Sequence, residues 1–105
     1  MTYQMYLDDI HSPKTEGWVI VRSVKQAKRK IRQLGYPCFI SFDHDLGGTS
    51  PNGKDLANWL VEQDMDDPWM VRVGFRFDVH SKNCIGRTNI REFLKPYLTK
   101  IGLLP

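Results

Sequence analysis

The sequence is poor in cysteine and has no long apolar run. Its two cysteines, Cys38 and Cys84, are too few for a disulfide framework or a cysteine-rich zinc site. No segment approaches the ~20 consecutive apolar residues of a membrane-spanning helix, and the first residues lack the apolar region of a signal peptide. We therefore expect a single cytoplasmic domain over residues 1–105, with free thiols and no membrane partner.

Repeats, low-complexity tracts and a glycine-rich phosphate-loop motif are also missing. Any phosphate site must therefore be of a kind other than the P-loop. No strong excess of charge of one sign exists, since 15 basic and 12 acidic side chains give a net charge of +3. Basic residues do concentrate in one segment, Lys25–Arg32. Such a face can attract nucleic acid, although it is more often simply solvated.

What the chain does contain is an alternation of strand-like and helix-like segments. Strands are predicted at Tyr3–Leu7, Trp18–Val21, Cys38–Phe42 and Val71–Val79, and helices at Ser23–Leu34, Gly53–Gln63 and Thr88–Tyr97. The strict alternation of Val71–Val79 is typical of an edge strand, and Pro96 predicts a break in the last helix near Lys95. The order of elements predicts an α/β fold with about four mainly parallel strands and flanking helices.

The connection between the first two predicted strands is unusually short. About ten residues separate them, whereas crossovers between parallel strands usually take a dozen or more and often contain a helix. Two interpretations remain open: either the connection is a tight loop between parallel strands, or the second strand is antiparallel.

Ionisable or hydroxyl side chains follow three of the predicted strands. They are Asp8 and Asp9 after the first, Asp43, His44 and Asp45 after the third, and His80 and Ser81 after the fourth. Ligands of an open α/β sheet bind at the carboxyl ends of its strands, so we expect these side chains to form one site. Gly47 and Gly48 would let the backbone approach a ligand closely. The plainer alternative is a set of solvated turns and caps.

The residue types of this predicted site indicate metal and phosphate chemistry. The candidate metal ligands are Asp8, Asp9, Asp43 and Asp45, whose carboxylates suit Mg²⁺ or Mn²⁺. Zinc or iron becomes the next choice if His44 and His80 also ligate. Histidine is the side chain best suited to exchanging protons near neutral pH, so His44 and His80 are, with Asp43, the candidate catalytic residues. The candidate phosphate-binding residues are Ser81, Asn83 and Arg87.

These residues resemble those of two known groups of proteins. In the receiver domains of two-component signalling, Asp43 would occupy the phosphoacceptor position and Ser81 the hydroxyl position, but the helix between the first two strands and the fifth strand are missing. The chain is more similar to the cyclic-phosphate-processing receiver-like family, over nearly its whole length. The motifs that carry this resemblance are Leu7-Asp8-Asp9, Gly17-Trp18, Ser41–Gly47 and His80–Gly86.

The resemblance implies a reduced receiver-like, flavodoxin-like fold and an activity on cyclic phosphates formed in RNA processing or repair. We therefore predict metal-assisted hydrolysis of a cyclic-phosphate nucleotide or RNA end, in which His44 and His80 exchange the roles of acid and base. The alternatives are phosphorylation of Asp43 and a protein- or RNA-binding module without turnover. RNA would contact the basic segment Lys25–Arg32 together with Arg72 and Arg76.

Overall fold

The computed structural model describes residues 2–47 and 51–105, so that Gly48 lies outside the described residues. Within them the strands are β1 (Gln4–Leu7), β2 (Trp18–Val21), β3 (Phe39–Phe42) and β4 (Arg76–Val79). The helices are α1 (Val24–Leu34), α2 (Gly53–Asp66), α3 (Met70–Val73) and α4 (Cys84–Lys100). Across the described ranges, no helix has both the length and the apolar character needed to cross a membrane.

The four strands form one parallel sheet in the order β2-β1-β3-β4. The predicted α/β fold with parallel strands is therefore confirmed, and the connection between β1 and β2 is a tight loop. Arg22 holds this loop together, because its guanidinium donates to the carbonyls of Asp8 (3.1 Å) and His11 (2.6 Å) and to the hydroxyl of Ser12 (2.9 Å). These three bonds replace the ordering that a crossover helix would supply.

The two faces of the sheet have different partners. One face carries Met5, Leu7, Ile40 and Phe42, and it packs with the buried side chains of α1, α2 and α4 into a single core. The other face carries an aromatic cluster of Tyr6, Trp18 and Phe39, whose rings meet edge to face at centroid distances of 5.5 and 5.9 Å. The helices thus cover one side of the sheet, and the carboxyl ends of the strands remain accessible.

The predicted strand Val71–Val79 is wrong in its first half. Residues Met70–Val73 form the short helix α3, Gly74 ends it in the left-handed region at φ 65°, and β4 begins only at Arg76. The cause is a side-chain contact from the end of α2: the buried carboxylate of Asp64 accepts the backbone N–H groups of Trp69 and Met70, both at 2.8 Å. The predicted edge position of β4 is confirmed.

The last helix is longer than predicted and has no break near Lys95. It begins at Cys84, where the Asn83 side chain accepts the N–H of Gly86, and it continues through Pro96 to Lys100. Pro96 is exposed, while Leu94 and Leu98 on either side of it are buried in the core. Packing of these leucines outweighs the one hydrogen bond that proline removes.

Candidate functional site

A cleft of about 750 Å³ lies at the carboxyl ends of the strands. Asp8 directly follows β1, Asp43 follows β3 and His80 follows β4, so the parallel order of the sheet brings all three to one edge. One ligand atom from each of the three lies within 4.8 Å of the others. We call these three residues the acidic triad. Its geometry is compatible with a shared proton or cation.

Asp8 is a fixed anion at the floor of the cleft. One of its carboxylate oxygens accepts the N–H groups of Ile10 (2.9 Å) and His11 (2.7 Å), and the other lies 3.0 Å from Nε2 of His80. Burial raises the pKa of Asp8, but these hydrogen bonds outweigh burial and hold the pKa below its ordinary value. Asp8 is therefore ionised whenever the protein is near neutral pH.

Asp43 has the opposite tendency. Burial and the negative charge of Asp8 raise the pKa of Asp43, although hydrogen bonds from the Ser81 side chain and the His44 backbone and the nearby His80 partly offset the increase. Neighbouring carboxylates whose pKa values move apart are typical of acid–base and metal sites. Of the two carboxylates in the acidic triad, Asp43 is accordingly the one on which a proton is more strongly stabilised.

His80 is held on both of its ring nitrogens. Its Nδ1 lies 2.7 Å from the hydroxyl of Ser41, and its Nε2 lies 3.0 Å from Asp8. The ring stacks on Tyr6 with a centroid distance of 4.3 Å and an angle of 8° between planes. Because the Ser41 hydroxyl can either donate or accept, it can satisfy Nδ1 in both neutral tautomers. Because the Asp8 carboxylate only accepts, Nε2 carries the proton while it is bonded to Asp8, and it presents a lone pair only in the tautomer in which Nδ1 donates to Ser41.

Sequence reasoning missed the supporting roles of Ser41 and Tyr6. A signal for them exists: each precedes an aspartate of the acidic triad by two residues, Ser41 before Asp43 and Tyr6 before Asp8. Side chains two apart on a strand point to the same face. A residue with a polar group two positions before such an aspartate is therefore predicted to contact the same side chain or ligand as the aspartate does.

The structure brings Asp9 and Asp45 to the cleft but not into the acidic triad. Asp9 lies beside Gly47 on the cleft wall. Asp45 is exposed and accepts hydrogen bonds from Nδ1 of His44 (2.9 Å) and from the amide of Asn83 (3.2 Å). The hydrogen bond from His44 and then that from Asn83 hold the pKa of Asp45 below its ordinary value. Both carboxylates form the rim of the cleft.

The ring of His44 lies against helix α4 and not in the wall of the cleft. Its ring packs so closely on Gly86 of α4 that a Cβ there would collide with the imidazole. Among the described residues, the walls of the cleft include His80 and do not include His44. The structure therefore does not place both rings in the cleft wall, and the prediction that the two histidines act on one substrate stays a prediction. The chain turns after Asp43, and adjacent side chains then point to different sides.

Residues 81–87 form a braced loop at the start of α4. Asn83 caps the helix by accepting the N–H of Gly86 at 2.9 Å, and Ser81 accepts the N–H of Asn83 at 3.1 Å. Arg87 donates to the carbonyl of Ser81 at 3.0 Å and to the sulfur of Cys84 at 3.3 Å. Ser81 and Asn83 line the cleft, whereas Arg87 acts from behind them.

Two lysines that sequence reasoning did not single out complete the cleft. Lys14 reaches it from the loop between β1 and β2, and Lys82 from the loop before α4. Lys82 carries a sequence signal because it directly follows His80-Ser81, but nothing in the pattern around Lys14 marks it. Ammonium groups at the mouth and carboxylates at the floor suit a phosphate ester that must also meet a proton-transfer group.

The amino-acid sequence of the chain matches the model of a known protein family. A family model described as the Cyclic-phosphate processing Receiver domain matches residues 3–96. The chain belongs to this family. No curated protein and no solved structure matches the chain. The resemblance identified from the sequence motifs is thereby confirmed, together with the receiver-like α/β fold and a role in cyclic-phosphate processing.

As a cyclic-phosphate processing receiver domain, the chain has the first four strands of the flavodoxin-like order 2-1-3-4-5. In that order the ligand crevice opens between strands 1 and 3, where the connections diverge to opposite sides. Asp8 and Asp43 end these two strands. The acidic triad of this receiver domain therefore occupies the topological switch point of its sheet.

Proposed function

We propose that this domain hydrolyses a cyclic phosphodiester to a phosphomonoester. The observation that carries the proposal is the acidic triad at the floor of a cleft whose walls include Lys14 and Lys82. The volume of this cleft, about 750 Å³, lies within the ~300–1,000 Å³ typical of small-molecule sites. A nucleotide ending in a cyclic phosphate therefore fits with its phosphate toward His80.

A divalent cation, Mg²⁺ or Mn²⁺, fits the donor set. The raised pKa of Asp43 reflects burial and repulsion by Asp8, both of which a cation would relieve. The residues that would hold it are Asp8 and Asp43, with Asp9 and Asp45 adding negative charge at the rim and His80 left free for proton transfer. When bound, the cation would polarise a phosphate oxygen and make water more acidic.

The remaining chemistry belongs to side chains of the chain itself. His80 accepts a proton from the attacking water, and Ser41 supports this change by bonding Nδ1. The bond from the water oxygen to phosphorus forms as one ring P–O bond breaks. The leaving sugar oxygen takes a proton from the ammonium group of Lys14 or Lys82, and that amine regains a proton from solvent. His44, packed on Gly86, has no proton-transfer role in this proposal.

Hydrolysis of nucleoside 2′,3′-cyclic monophosphates in the presence of Mn²⁺ tests the proposal. His80→Ala should lower kcat by about 10²–10⁴, the usual contribution of a positioned acid or base. His44→Ala should lower it by less than about tenfold, because its ring supports the loop without reaching the substrate. Near-native turnover by a folded His80→Ala variant would contradict the mechanism. Equal losses in both variants would restore the two-histidine prediction.

A second candidate function is phosphorylation of Asp43, as in a signalling receiver. It is favoured by the position of Asp43 directly after β3 and by Ser81 and two lysines among the residues that line the same cleft. Treatment with acetyl phosphate followed by intact-mass measurement separates the two functions. A stable adduct that disappears in Asp43→Asn, with no hydrolysis of any cyclic phosphate, would favour the switch.

A further inference from the structure

A second groove lies at the open edge of the sheet, between β4 and α4. It has a volume of about 310 Å³. Its rim carries Arg76, Arg91 and Lys95 against one acidic side chain, Asp78, and its floor includes Phe77 and Leu98. We call it the edge groove. A fifth strand of the flavodoxin-like order would lie at this edge, but within residues 2–47 and 51–105 none does.

The positive charge of the edge groove is not neutralised by the protein. Across the described part of the chain, the ion pairs within 4.0 Å all involve a histidine and an aspartate. Asp78, the acidic side chain in the groove, instead accepts the backbone N–H of Val79 at 2.9 Å. Three cationic side chains therefore surround an apolar floor without a carboxylate partner, which favours an anionic ligand.

A row of basic side chains leads from the cleft toward the edge groove. Arg87, Arg91 and Lys95 recur every four residues on α4, so they share one face of the helix over a length of about 12 Å. Arg87 contacts the carbonyl of Ser81 at the cleft, and Lys95 lies in the edge groove. Along β4, about 13 Å separate Arg76 from His80. A chain of phosphates can therefore follow basic side chains from the acidic triad to the edge groove.

The edge of β4 disfavours an extended peptide as the ligand. The N–H groups of Arg76 and His80 bond β3, so those of Phe77 and Val79 point outward. Asp78 already occupies the N–H of Val79, and Arg76 occupies the carbonyl of Phe75 at 3.0 Å. Strand addition needs those groups, whereas a nucleic-acid backbone needs only the cations and a surface for its bases.

We propose that the edge groove binds the RNA strand that ends in the cyclic phosphate, so that the substrate of the domain is an RNA end rather than a free cyclic nucleotide. This inference rests on the proposed function for the identity of the terminal group. Guanidinium groups from Arg76 and Arg91 bind phosphate oxygens, and the apolar floor receives a base. The acidic triad then receives the terminal cyclic phosphate.

Binding and hydrolysis are to be measured separately. The first probe is a fluorescein-labelled oligouridine ending in a 2′,3′-cyclic phosphate, with affinity read by anisotropy in EDTA. The second is hydrolysis of this oligonucleotide and of uridine 2′,3′-cyclic monophosphate in Mn²⁺. The test variant is Arg91→Glu/Lys95→Glu. The control is Lys25→Glu/Arg29→Glu, which has the same residue types, charge change and helical spacing on α1.

We expect the test variant to weaken oligonucleotide binding at least about tenfold and to reduce the slope of log Kd against log salt by about 1.4, the value for two phosphate contacts on a single strand. The control should change affinity by less than about twofold. Circular dichroism confirms that both variants are folded. The advantage of the oligonucleotide over the mononucleotide in kcat/KM should disappear only in the test variant.

Three results would overturn the inference. One is unchanged oligonucleotide affinity in the test variant, and another is an equal or larger loss in the α1 control, which would place RNA on the basic helix. The third is equal competition by a decaglutamate peptide, which would identify an acidic protein as the ligand. Groove-dependent binding without any hydrolysis would instead refute the proposed function and leave the edge groove supported.

Discussion

At the scale of residues, Asp8 and Asp43 have the same side chain and different electrostatic states. Asp8 is stabilised as an anion by two backbone N–H groups and His80, whereas burial and the charge of Asp8 destabilise ionised Asp43. A carboxyl whose pKa is raised in the folded state favours folding at low pH. That contribution is lost as the pH rises through the unfolded and then the folded pKa. Asp43 is thus kept for function at a cost in stability.

This difference predicts that Asp43→Asn stabilises the metal-free protein. In EDTA at pH 7, Tm should rise by about 2–8 °C, which corresponds to roughly 0.5–1 kcal/mol in a domain of this size. The gain should vanish below the ordinary pKa of 3.8, where Asp43 is protonated in both states. Asp45→Asn is the control and should not stabilise, because hydrogen bonds lower the pKa of Asp45. A lower Tm for Asp43→Asn at pH 7 would contradict the assignment.

Sequence reasoning placed residues at the site better than it assigned their roles. Strand ends were visible as apolar runs followed by Asp8 and by Asp43, and the parallel order brought them together. The direction of His44 was not visible, since it depends on a hydrogen bond from the N–H of Gly53 to its carbonyl and on packing against Gly86. Those contacts join positions far apart in the chain, and spacing alone does not encode them.

At the scale of elements, the first turn of α2 positions the end of β3. Gly53 is the first residue of α2, its N–H donates to the carbonyl of His44 at 2.9 Å, and its Cα packs against the backbone of Asp43. A Cβ at Gly53 would collide with the Asp43 carbonyl oxygen. The requirement at Gly53 is therefore one of space, and it links helix packing to the geometry of the acidic triad.

Gly53→Ala should accordingly damage both stability and activity. Overpacking against a fixed backbone typically costs about 1–3 kcal/mol, and this exceeds the small gain in helix propensity from alanine. Lys54→Ala is the matched control, since it changes the next residue of the same turn without entering the backbone of β3. Thermal unfolding and cyclic-phosphate hydrolysis should both fall for Gly53→Ala alone. Equal stability of the two variants would show that the loop after Asp43 moves freely.

The helices also indicate where periodicity succeeds and where it fails. The cap at Ser23 and an apolar stripe of Val24, Ala27, Ile31 and Leu34 were predicted from local spacing. Helix α1 buries the first three, whereas Leu34 at its end is exposed. The segment Val71–Val79 has the alternation of a strand, but α3 forms because Asp64, which also accepts the hydroxyl of Tyr97, organises the chain at Trp69. Contacts of the Asp64 side chain thus override the local pattern of this segment, as core packing of Leu94 and Leu98 overrides the break predicted at Pro96.

At the scale of the whole molecule, the parallel sheet has helices on one face, and the candidate site lies at the carboxyl ends of its strands. Its order was predictable in outline from alternating elements, and the absence of a helix between β1 and β2 was predictable from length. The tight loop braced by Arg22 could not be chosen over an antiparallel strand, because arginine contacts to carbonyls leave no periodic signature. The same loop supplies Lys14 to the cleft.

Binding of a cation at the acidic triad should stabilise the entire fold, because its carboxylate ligands follow two different strands, β1 and β3, which are held together only in the native state. At 100 times its Kd, Mn²⁺ should add about 2.7 kcal/mol to the free energy of unfolding, which raises Tm on the order of 10 °C. The shift should shrink as the pH falls, since protons compete for Asp43, whose pKa is raised.

Variants separate this site from nonspecific binding to acidic residues. Asp43→Ala should abolish the Mn²⁺ shift, whereas Asp45→Ala, which removes an exposed carboxylate at the rim, should retain most of it. Excess EDTA should reverse the shift in the wild type. Equal shifts in all three proteins would mean that the cation binds elsewhere. The acidic triad would then remain a proton-transfer site, and His80 with Asp43 would have to perform the hydrolysis without a cation.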